Sequence, residues 1–98
     1  MIEIRKTQSF LKFFDELRDR RAKVKISGRI DRLGFGHEGD VGSVGEGISE
    51  LRVHEGAGYR VYFKRHGDMF IVLLCGGDKG SQERDIRLAK MLAKELDL

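Results

Sequence analysis

The sequence predicts an α+β domain, with one strand and a pair of helices ahead of a run of antiparallel strands and a last helix, in the order βααβββα. Three observations carry the expectation. Apolar residues recur first at strand spacing, then at helical spacing, then at strand spacing again. The later strands follow one another with only turn residues between them, which is the arrangement of hairpins. The chain has 98 residues, enough for one core, so residues 1–98 form a single domain.

Each element has its own local reason. Met1 to Lys6 alternates apolar and polar residues, placing Ile2 and Ile4 on the inner face of a strand. Thr7 is a good N-cap, and Phe10, Phe14 and Leu17 form the apolar stripe of a helix over roughly 8–19, flanked by Leu11 and Phe13. Phe10, Phe13 and Phe14 at this spacing are core residues rather than platforms for stacked bases. After a polar corner at Asp19-Arg20-Arg21, the steps from Ala22 to Ile26, Ile30 and Leu33 make a second helix, the hairpin partner of the first. Gly34 suits the left-handed residue that closes many helices. It opens a glycine-rich stretch, through Gly36, Gly39, Gly42, Gly45 and Gly47, that is expected to be a flexible linker outside the core.

Beyond the linker, Ile48 to His54 places Leu51 and Val53 on a dry face and Glu50, Arg52 and His54 on a wet one. Glu55-Gly56-Ala57-Gly58 turns the chain into Tyr59 to Lys64, with Val61 and Phe63 inward and Arg60, Tyr62 and Lys64 outward. His66-Gly67-Asp68 turns it again, and the nearly continuous apolar run Met69 to Cys75 reads as a central strand covered on both sides. Gly76-Gly77-Asp78 is expected to break that strand. Ser81 then caps a last helix carrying Ile86, Ala89, Ala93 and Leu96 on its inner stripe.

Composition narrows the function classes. No apolar run approaches the roughly 20 residues that cross a bilayer, and the charged start does not resemble a signal peptide, so a cytoplasmic protein without a membrane partner is expected. The single cysteine, Cys75, excludes an intrachain disulfide and a cysteine-based zinc site. The net charge of +3 hides an uneven distribution. Residues 1–36 carry ten basic and five acidic side chains, residues 37–58 one and five, and residues 59–98 eight and six. A basic chain of this kind is compatible with a polyanionic partner such as RNA, and equally with an ordinary solvated surface.

Three basic side chains stand out, because strand alternation places Arg52 and Arg60 on one surface of neighbouring strands and Lys79 lies in the loop after the next. Arginine offers planar donors that clamp two phosphate oxygens, so the trio suits a phosphodiester. The other reading is that Arg52 pairs with Glu50 or Glu55 and Lys79 is simply solvated. His54 shares the face of Arg52 and is either a proton donor and acceptor at the same anion or a polar surface histidine. His37 and His66 lie in glycine turns, and no spacing matches a metal motif, so neither metal nor cofactor is expected. Cys75, ending an apolar strand, reads as a buried structural thiol. Gly34-Phe35-Gly36-His37-Glu38-Gly39 has the form of a dinucleotide fingerprint but follows a helix instead of a strand, and Lys79-Gly80-Ser81 has the residues of a phosphate loop's end in the wrong order and at the wrong spacing from the upstream glycines. Both are rejected.

The ordered set Glu50-Leu51-Arg52-Val53, Gly58-Tyr59-Arg60-Val61-Tyr62-Phe63, Leu73-Leu74-Cys75-Gly76-Gly77-Asp78-Lys79, Gln82 and Asp85-Ile86 resembles the RelE/ParE toxin superfamily, and more narrowly its HigB-like addiction module killer proteins. The resemblance spans nearly the whole chain. It departs from the family pattern at Ala57, where proline is usual, and in the long glycine-rich stretch. It implies a RelE/ParE-like fold and the toxin of a type II toxin–antitoxin module, an mRNA endoribonuclease that works on the ribosome without a metal. It also implies a helix-turn-helix antitoxin as partner. By position, Arg52 and Arg60 would carry the phosphate and the transition-state charge, with Lys79 or His54 moving protons. The family pattern of an aromatic or histidine near the C-terminus is missing from Ile86 to Leu98. The alternative within the same fold is a ParE-like inhibitor of DNA gyrase that leaves RNA intact.

Overall fold

The computed structural model describes residues 1–98. The elements are β1 (Glu3–Lys6), α1 (Gln8–Asp15), α2 (Arg20–Gly34), β2 (Val41–Gly45), β3 (Ile48–Val53), β4 (Tyr59–His66), β5 (Phe70–Asp78) and α3 (Gln82–Glu95), with one 3₁₀ turn at Lys79–Ser81 before α3. They form a five-stranded mixed sheet in the order β1-β5-β4-β3-β2. β1 runs parallel to β5, and the other pairings are antiparallel hairpins. The class is α+β, as expected, but the order is βααββββα.

The extra strand corrects the reading of residues 34–47 as a flexible linker. Val41, Gly42 and Ser43 face Leu51, Glu50 and Ser49, so the glycine-rich stretch forms the edge of the sheet. The two residues joining β2 to β3, Glu46 and Gly47, have φ of 55° and 76°. Positive φ at both central residues matches the tight hairpin turn whose twist suits paired strands. Two valines among glycines carry too little hydrophobic alternation to announce an edge strand.

Helix boundaries follow from caps. The Thr7 hydroxyl accepts from the Phe10 amide and starts α1, and the Asp19 carboxylate accepts from the Ala22 amide and starts α2. α1 stops at Asp15, short of the expected end near 19, because the chain must turn to reach the Asp19 cap. Gly34 is not the left-handed closing residue: it is helical and buried, its carbonyl accepting from the Ile2 amide, and Gly36, with φ of 89°, takes the left-handed position.

One face of the sheet packs against α1 and α2 through Phe10, Ile26, Ile30, Leu33, Leu51 and Phe63, among others. The opposite face packs against α3, where Ala89 and Ala93 let the helix approach Ile48, Tyr62, Val72 and Leu74. This second layer corrects the expected wet face, since Tyr62 and Glu50 are 0% and 1% exposed. β5 also runs through Gly76 and Gly77 instead of breaking there. A side chain at Gly76 would collide with the Phe13 ring, and one at Gly77 with Asp85 and Ser81, so these glycines admit neighbours to the strand. Ser81 does not cap α3 with its side chain. Its hydroxyl donates to Asp85 Oδ2, while the Asp78 carboxylate accepts from the Gly80 and Ser81 amides. No helix is long and apolar enough to cross a membrane.

Candidate functional site

Arg52, His54, Arg60 and Lys79 line one cleft of about 370 Å³, together with Tyr59 and the Glu55–Gly58 turn. β3 supplies Arg52, the residue after its end is His54, β4 supplies Arg60 and the 3₁₀ turn supplies Lys79. The cleft forms where the ends of β3, β4 and β5 meet, with the hairpin turn closed by the Gly58 amide donating to the Glu55 carbonyl at 3.0 Å.

Arg52 and Arg60 are direct cross-strand partners. Two like charges opposite each other destabilise a sheet, so something must separate them. Glu50, two residues before Arg52 on the same face, does so from below. Its Oε1 accepts from Arg52 Nε at 3.0 Å and from Arg60 Nη1 at 3.4 Å, and its Oε2 accepts from Gln82 Nε2 at 2.9 Å. The carboxylate is buried and held on three sides, which fixes both guanidinium groups. The cost is visible beneath the cleft, where Arg60 Nε and the Tyr62 hydroxyl are buried with no hydrogen-bond partner. Burial, with the charge of Glu50 next, pushes the Tyr62 phenol up and keeps it neutral.

A second carboxylate approaches from outside. Asp40 Oδ1 accepts from Arg52 Nη1 at 3.0 Å, and Asp40 Oδ2 lies 2.6 Å from His54 Nε2. The hydrogen bond with His54 first, then the one with Arg52, hold the Asp40 carboxyl below the usual carboxylate range. Arg29 of α2 secures this segment. Its guanidinium donates to the carbonyls of Glu38, Asp40 and Arg52 at 3.1, 3.2 and 2.6 Å. Burial lowers the Arg29 pKa, against the pull of Asp40.

The structure thus brings all four sequence-predicted residues to one cleft, but in unequal states. Arg52 is paired twice, with Glu50 and Asp40, so the pairing with Glu50 anticipated from the sequence occurs, while Glu55 turns to Lys25 at 3.6 Å. Arg60 is 13% exposed at its side chain, against 74% for His54. Lys79 is exposed and forms no ion pair, which leaves it the free cation of the cleft. Cys75 lies apart, buried, its thiol donating to the Asp85 carbonyl. Burial, helped by the charge of Asp85, pushes the thiol up to about 12, which suits a structural role. No group of three or more His, Cys, Asp and Glu side chains is placed to hold a metal ion.

Sequence reasoning missed the supports. Glu50 was legible only as a partner for Arg52, because its burial depends on α3. Gln82 stood in the pattern without a role. Asp40 and Arg29 gave no signal, since their meeting with β3 requires the β2 edge to be in place.

The chain is 52% identical over 97 residues to an uncharacterized protein of Haemophilus influenzae, an alignment that covers 99% of this chain and 98% of the relative. It belongs to the same family as that protein. No family model matches the chain.

Proposed function

We propose that this protein is the toxin of a type II toxin–antitoxin module, a RelE/ParE-like, HigB-like endoribonuclease that cuts messenger RNA on the ribosome in the cytoplasm and is restrained by a helix-turn-helix antitoxin. The observation that carries the reading is the convergence of Arg52, His54, Arg60 and Lys79, from three separate segments of the chain, on one cleft. In the proposed reaction the ribose 2′-oxygen attacks its own 3′-phosphorus and gives up its proton. The bond from phosphorus to the 5′-oxygen breaks, and that oxygen takes a proton. Products are a 2′,3′-cyclic phosphate and a 5′-hydroxyl. No metal is needed for this balance. Arg60, oriented by Glu50, stabilises the charge that builds on the phosphorane oxygens, and Lys79 adds a mobile cation. Arg52, already shared between two carboxylates, contributes field and position more than free donors.

A translation reaction with added protein, followed by mapping of message 5′ ends, tests the reading. Codon-phased cuts are expected. Intact message with blocked supercoiling in a gyrase assay would replace the reading with gyrase inhibition. Arg60→Ala is expected to lower cutting by about 100-fold or more. Glu50 keeps Arg52 and Gln82 as partners, so melting changes by only about 5 °C or less. Cutting at the parent rate would remove Arg60 from the mechanism.

A further inference from the structure

The glycine-rich segment ahead of β2 delivers one acidic side chain to the cleft residues, and the direction of its approach is informative. Asp40 meets both Arg52 and His54, which line the cleft, yet Asp40 itself is absent from the lining. It therefore stands behind these residues and does not fill the space a phosphate would take. Its position is not incidental to a loose loop, because the Arg52 amide donates to the Asp40 carbonyl at 2.9 Å and Arg29 grips the same carbonyl.

We infer that Asp40 is a positioning residue for His54, holding the imidazole in the tautomer that carries its proton on Nε2 and leaves Nδ1 free to take the proton of the 2′-hydroxyl. The inference rests on the proposed RNA cleavage. A carboxylate 2.6 Å from Nε2 can only accept, so the neutral ring must place its proton there. Nδ1 then holds the lone pair. As O2′ bonds to phosphorus, its proton passes to Nδ1, the P–O5′ bond breaks, and O5′ takes a proton from the Lys79 ammonium. Solvent later restores both groups. The other charged groups around the ring are Arg52 on the strand that leads into it, Glu55 in the adjoining turn, Arg60 of β4 and Lys79 in the same cleft, and Lys25, Arg29 and Arg32 of α2. Glu55, the only other acid among them, is paired with Lys25. Asp40 alone contacts the ring with a carboxylate.

The test combines a readout of the ring with one of the reaction, using the full-length protein. In ¹⁵N-histidine-labelled protein, the ring-nitrogen shifts of neutral His54 are expected to show the Nε2–H tautomer, and Asp40→Asn is expected to erase that preference. Asp40→Asn is further expected to slow message cutting about tenfold or more. In a His54→Ala background the same change should add nothing, because a residue acting through His54 has no effect once His54 is gone. Three results would overturn the inference: an Nδ1–H tautomer in the parent protein, cutting by Asp40→Asn at or above the parent rate, or full additivity with His54→Ala. The second would recast Asp40 as a carboxylate that obstructs the cleft, and the third would assign its effect to Arg52. Should the parent protein cut no message, the cleavage reading falls, and the ring-nitrogen shifts alone then uphold or overturn the tautomeric role of Asp40.

Discussion

The two faces of the sheet are built on different terms. Under α1 and α2 the buried residues are all apolar, with Phe10, Ile26 and Leu33 set against Leu51, Phe63 and Leu73, each 2% exposed or less. Under α3 the helix offers Ala89 and Ala93, and the same layer admits Glu50, Asp85, the Tyr62 hydroxyl and Cys75. Apolar burial stabilises in proportion to area and needs no partner, whereas each buried polar atom left unpaired costs about 1–3 kcal/mol. The first face holds the molecule together. The second uses part of that stability to hold Arg52 and Arg60 over a buried carboxylate.

The apolar side is the more sensitive to a single substitution. Phe63→Ala removes a ring from the packed layer and is expected to cost about 3–5 kcal/mol in denaturant unfolding. A cost below about 1 kcal/mol would mean that this face is not the principal source of stability. On the polar side, Glu50→Gln keeps the shape but removes the charge that separates two arginines, and is expected to cost about 2 kcal/mol. Its larger consequence is functional, because Arg60 loses its orientation. Cutting by Glu50→Gln at the parent rate would separate the buried carboxylate from the site.

The smallest expected effect concerns acid. The Asp40 carboxyl is held below its ordinary range by His54 and Arg52, so its contribution to stability is present above the ordinary carboxylate pKa of about 4 and is lost as pH falls through its lower folded value. The melting temperature of the parent should exceed that of Asp40→Asn at pH 7. The gap should close on acidification below about pH 4. A gap that persists at low pH would show that the segment is held by its backbone contacts to Arg29 and Arg52 alone.

Much of the apolar face was legible in the sequence. The steps Ala22, Ile26, Ile30 and Leu33 and the alternation of Leu51 with Val53 and Val61 with Phe63 required only helical and strand periodicity, and all eight residues are buried. The polar face was misread for a definite reason. Alternation separates two sides of a strand but does not say whether the second side meets water or a helix, so it cannot reveal the burial of Glu50 and Tyr62 under α3. The glycine-rich edge strand was missed because strand pairing there depends on the β3 backbone and a two-residue turn, with almost no hydrophobic pattern to reveal it.

By itself, the chain's order of residues determined the α+β class and the apolar stripes, since these follow from local periodicity and hairpin connection, and it offered Arg52, His54, Arg60 and Lys79 as candidates without deciding that they meet. Tertiary structure alone decided which of those cations are free. Asp40, Glu50 and Gln82 lie 12, 2 and 30 positions from Arg52, and only docking of the edge strand on one side and α3 on the other brings their short-ranged hydrogen bonds to the same guanidinium and carboxylate groups.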